Sequence, residues 1–75
     1  MTPEQVLARV FDVDAADLRD ATCNLDVADW DSLGHMTLVV ELEAVYQVLF
    51  SPAEALRMTS VGGIKQVLRE RGVSC

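Results

Sequence analysis

At 75 residues and a net charge of −6, the chain has room for one domain and the wrong sign of charge to neutralise a nucleic-acid backbone. Half of its residues are apolar, which argues against disorder, yet no run is long enough to span a bilayer and the N-terminus lacks the basic-then-apolar layout of a secretory signal. These features predict a single soluble, cytoplasmic, monomeric domain over residues 1–75, with a small core and marginal stability.

Thr2-Pro3-Glu4-Gln5 reads as a capping box with proline at the first helical position. Val6, Leu7, Val10 and Phe11 then share one helical face, which predicts a first helix to about Phe11. From Asp12 to Trp30 no period persists. Asp14-Ala15-Ala16-Asp17 suits a single turn, and Leu18 and Leu25 are isolated apolar residues expected to pin this long connection to the core. Asp12, Asp14 and Asp17 faintly resemble a calcium loop, but the glycine at its bend and the closing glutamate are missing, so caps and solvated charges are expected and no metal. Cys23 and Cys75 are expected to be free thiols, and with His35 they are too few and too irregularly spaced for a zinc site.

Asp31 is placed as the N-cap of a second helix running from Ser32 to about Leu49. Its core stripe is Leu38, Leu42, Val45 and Leu49, with Val39 and Tyr46 beside it. Leu33, Met36 and Val40 fall on another face, roughly in line with Ser32, with no core for them to enter. Either this helix is buried on two sides or it presents an apolar patch to a partner. Ser51-Pro52-Ala53-Glu54 is a second capping box and opens a short helix ending near Arg57. Ser60 caps a last helix with Val61, Ile64, Val67 and Leu68 facing inward and Gly72 as its left-handed stop. Gly62 and Gly63 weaken its first turn, or admit the close approach of another backbone. The predicted fold is all-α: three main helices and a short one, with a long first loop.

Catalysis is not expected. Asp31, Ser32 and His35 are neighbours on one helix and do not give the relay geometry of a hydrolytic triad, and Trp30 stands where the first glycine of a nucleophile elbow belongs. His35 is expected to face solvent, and so small a bundle is expected to lack a cleft of ordinary ligand size. Nine acids against one base, Arg19, lie between Asp12 and Glu43. Such a surface suits partners with basic docking patches, or serves only to keep the protein in solution. As a surface charge, Glu43 is expected to contribute little to stability.

Trp30-Asp31-Ser32-Leu33-Gly34-His35-Met36 heads an amphipathic helix in the middle of a short acidic chain, and in this it resembles the phosphopantetheine attachment motif of acyl carrier proteins. A second stretch, Phe50-Ser51-Pro52 through Met58-Thr59-Ser60-Val61, is similar to the family's short third helix and the start of its last one. The resemblance covers Thr2 to Gly72. It implies a 4′-phosphopantetheine arm, taken from coenzyme A by a phosphopantetheinyl transferase, on Ser32 within Asp31-Ser32-Leu33. It implies acyl groups carried as thioesters on that arm, as in fatty-acid or polyketide biosynthesis, with shelter for the acyl chain among Leu38, Leu42, Tyr46 and Ile64. Its implied partners are acyl-loading and acyl-transfer enzymes that dock on Met36, Val40, Glu41 and Glu43. The chain departs from the family where Glu43-Ala44-Val45-Tyr46 replaces a run of glutamates followed by phenylalanine. Trp30 looks more like discrete, specialised carriers. Peptidyl carriers more often have glycine and histidine before the serine, so Asp31 favours an acyl carrier. A peptidyl or aminoacyl carrier, or a helical adaptor with no prosthetic group, are the alternatives.

Overall fold

Helix α1 (Pro3–Phe11) begins as its capping box requires: the Gln5 N–H donates to the Thr2 hydroxyl, and the Gln5 side chain returns the bond to the Thr2 N–H. It stops at Asp12, a left-handed residue (φ 54°) whose N–H reaches the Ala8 carbonyl. In this computed structural model, which describes residues 1–73, the connection to the next long helix holds a single 3₁₀ turn at Ala15–Asp17, capped by Asp14. Leu18 pins the loop to the core as expected, joined by Val27 and Trp30, but Leu25 does not: it is 88% exposed. Cys23 is a free, half-buried thiol, and Cys75 lies outside the described residues.

The second long helix, α2, spans Ser32–Tyr46 and ends a turn earlier than its apolar period suggests. Gln47 adopts a left-handed conformation (φ 57°), and the Glu43 carbonyl accepts from the N–H groups of Gln47 and Val48. Leu49 therefore falls outside the helix and is 76% exposed rather than part of the core stripe. Leu38 and Leu42 are fully buried, with Val45 and Tyr46 packed partly against them. Helix α3 (Pro52–Arg57) carries the second capping box, and α4 (Val61–Glu70) is capped by Ser60. Past α4, Gly72 is left-handed (φ 74°); its N–H reaches the Arg69 carbonyl and that of Val73 reaches Leu68, the paired bonds of a Schellman stop.

Helix α1 packs on α2 and α4, and α3 packs on α4. The core is filled by Val6, Leu7 and Phe11 from α1, Leu38 and Leu42 from α2, and Val61, Ile64, Val67 and Leu68 from α4, with Met58 closing it between α3 and α4. The first loop is stitched to the start of α4: Val61 and Gly62 donate to the carbonyls of Thr22 and Asp20, and Asn24 donates to Thr59. Gly62 allows this approach, since a Cβ there would stand 3.0 Å from the Asp20 oxygen. No helix among the described residues is long and apolar enough to cross a membrane.

Candidate functional site

Where the first loop meets α2, the Asp31 carboxylate accepts from the Gly34 N–H at 2.8 Å, fixing the helix start. Ser32 is thereby the first helical residue, and its side chain is exposed. Its own N–H and that of Leu33 lie in the first turn, where the helix offers them no acceptor. An anion on the Ser32 hydroxyl would meet those donors and the positive end of the helix dipole. Gly34 is required for this junction. A Cβ there would collide with the Asp29 carbonyl oxygen and come within 2.9 Å of the Phe11 ring.

A groove of about 330 Å³ runs beside Ser32, lined by Asn24, Trp30, Asp31, His35 and Thr59. A second, of about 270 Å³, lies between Phe11, Asp29, Leu33, Gly34 and Thr37, and Asp31 borders both. Ser32 lines the first of the two, and neither exceeds by much the lower limit of small-molecule sites at roughly 300 Å³.

His35 is not solvent-facing as expected. Its Nδ1 accepts from the Trp30 indole N–H at 2.9 Å, and its Nε2 lies 2.7 Å from the Ala55 carbonyl oxygen of α3. Because an indole N–H can only donate, Nδ1 must be the bare nitrogen, so the proton sits on Nε2 and is donated to Ala55. The two rings stack at 6.3 Å, and Trp30 stacks in turn on Phe11 at 5.6 Å. The signal in the sequence was spacing: with Asp31 as cap, Trp30 and His35 occupy the positions of a hydrophobic staple, which closes the first turn of a helix. No group of three His, Cys, Asp or Glu that could hold a metal occurs among the described residues.

Leu33, Met36 and Val40 are 74%, 67% and 62% exposed, so the second apolar face of α2 is not core. The acids expected beside it are already engaged. Glu41 pairs with Arg9 of α1 at 2.6 Å. Glu43 is half-buried and accepts the Phe50 N–H at 2.9 Å, bracing the turn after α2, so it is not the isolated surface charge it was taken to be. Leu38, Leu42 and Ile64 are closed over with no exposure, and the Tyr46 hydroxyl donates to the Met1 carbonyl.

No family model matches the chain, and no curated protein matches it. Among solved structures it is similar to a holo acyl carrier protein from Geobacter metallireducens, determined by solution NMR. The two share 33% sequence identity over 89% of this chain and 77% of that one, with a TM-score of 0.78.

Proposed function

We propose that this chain, which belongs to the acyl carrier protein family, carries acyl groups as thioesters on a 4′-phosphopantetheine arm attached to Ser32. It is a carrier and not an enzyme. The observation that supports this reading best is the serine itself: exposed, first in a helix capped by Asp31, and lining a groove. These residues fit the group. Attachment by a phosphopantetheinyl transferase would join the Ser32 oxygen to the phosphorus of coenzyme A, with loss of the serine proton and departure of the adenosine bisphosphate half. The arm supplies a terminal thiol for the thioester. The work of this chain is to hold the anion at the helix N-terminus through the Leu33 N–H and to keep Ser32 clear of the core. Leu33, Met36 and Val40 offer an apolar face for transferase and acyl-transfer enzymes. The chain's net negative charge would speed encounter with basic patches on those partners.

Incubation with coenzyme A and a promiscuous transferase should raise the intact mass by one phosphopantetheinyl group, and Ser32→Ala should gain none. A wild-type protein left unmodified by several transferases would sink the carrier reading in favour of a helical adaptor.

A further inference from the structure

Trp30 and His35 are the only tryptophan and the only histidine in the chain, and the structure bonds them to each other beside the serine. The imidazole links three things: the buried residue two positions before Ser32, the first turn of α2, and the backbone of α3 at Ala55. We propose that His35 is a positioning residue for the chemistry at Ser32. In its neutral form it braces Trp30 against the helix start, and protonation at Nδ1 releases Trp30 while leaving the bond to α3.

The asymmetry follows from the donors. A proton on Nδ1 sets an imidazolium N–H against the indole N–H, two donors with nothing between them, so that bond is lost and the stacked ring is pushed off. At the other end, Nε2–H still faces the Ala55 carbonyl, and a charged donor strengthens that bond. Asp31 lines the same groove, its carboxylate bonded to the Gly34 N–H but still charged. On α3, Glu54 and Arg57 flank Ala55 but are turned to Arg71 and Glu70. From α1 the group against Trp30 is the apolar Phe11 ring. The part of the inference that concerns modification rests on the carrier reading; the brace does not.

Two measurements test it. The first follows the Trp30 indole N–H by NMR in the unmodified protein, from about pH 8 to about pH 5, the range over which histidine changes charge. It should shift in a single one-proton transition in the wild type. It should stay fixed in His35→Gln, whose amide offers a non-titrating acceptor and donor. In His35→Phe it should hold the low-pH position throughout, and the α3 amides should exchange faster by roughly three- to tenfold, the effect of one lost hydrogen bond. In the wild type, the protection of the α3 amides, corrected for the intrinsic pH dependence of exchange, should not fall at low pH.

The second measures the rate of Ser32 modification in wild type relative to His35→Gln across the same range. The ratio should be level above the transition and fall roughly three- to tenfold below it, again by the loss of one hydrogen bond. An indole resonance that ignores pH in the wild type, or that titrates equally in His35→Gln, overturns the brace. Superposable rate profiles overturn its role at the serine. If no variant is modified while the indole still titrates through His35, the carrier reading falls and the brace stands.

Discussion

Gly34 shows how one missing side chain sets the site. By helix propensity alone, alanine in place of a helical glycine should stabilise by about 1 kcal/mol. Here the added Cβ would collide with the Asp29 carbonyl oxygen, part of a backbone that cannot swing aside as a flexible side chain can, and would crowd the Phe11 ring. Overpacking of this kind costs typically about 1–3 kcal/mol, and a backbone shift at Asp29 would also move Trp30 and Asp31. The clash should win. Gly34→Ala should melt several degrees below wild type, at roughly 4–8 °C per kcal/mol for a domain of this size, and should slow modification at Ser32. A thermal melt at or above the wild-type temperature would show that the loop gives way and that propensity governs. At this scale the sequence was readable where chemistry is local. Asp31, Ser32 and the outward Leu33, Met36 and Val40 fall where spacing puts them. It was unreadable where the partner is distant backbone. Nothing in the pattern couples His35 to the Ala55 carbonyl twenty residues on, or Glu43 to the Phe50 N–H.

Among the elements, α3 is the one most dependent on its attachments. It has six residues, fewer than an isolated helix needs, and none of them is buried. It is held by Met58 beneath it, by His35, and by ion pairs to α4 and the segment that follows. Arg57 meets Glu70 in a two-pronged pair with both bonds at 2.7 Å, and Arg71 bonds both Glu54 and the Leu49 carbonyl. The Arg57 guanidinium, helped by the Gln66 amide, holds the Glu70 carboxyl down to about 2. A carboxyl lowered on folding stabilises above its ordinary range, and that contribution is lost as pH falls toward the folded value. The difference in melting temperature between wild type and Glu70→Gln should therefore be constant above about pH 5 and shrink steadily toward pH 2, the interval between unfolded and folded carboxyl values. Because the pair is solvent-exposed, the gap itself should be small. A gap that persists unchanged at pH 2 would mean that Glu70 acts through shape rather than charge.

The starts of α1 to α4 were legible because Thr2, Asp31, Ser51 and Ser60 are caps whose chemistry lies within three residues. The end of α2 was not. The apolar period runs on through Leu49, while Gln47 takes a left-handed turn without the glycine that would have announced it.

For the molecule as a whole, the acid-rich half sets how stability answers to salt. Of the nine acids from Asp12 to Glu43, two are neutralised by a cation: Asp20 by Lys65 at 2.8 Å and Glu41 by Arg9 at 2.6 Å. Four more, Asp14, Asp26, Asp31 and Glu43, accept backbone N–H groups, which satisfies their hydrogen bonding but leaves their charge in place. Screening therefore acts in two directions. It weakens ion pairs that contribute at most about 1 kcal/mol each when exposed, and it relieves repulsion among the larger number of uncompensated carboxylates. The dimensions decide how strongly. The molecule measures 27 × 23 × 20 Å, so at about 0.01 M salt, with a screening length of about 30 Å, every acid feels every other. At about 0.1 M the screening length falls to about 10 Å and only neighbours interact. Raising sodium chloride over that interval should raise the melting temperature, by roughly 4 °C if about 1 kcal/mol of repulsion is removed. Chloride is the proper anion for this test, because sulfate strengthens apolar burial on its own account and would raise any melt. A melting temperature that stays level or drops would mean that the ion pairs joining Arg9, Lys65, Arg57 and Arg71 to their partners outweigh the repulsion, and that the acidic half is electrostatically settled by its own fold.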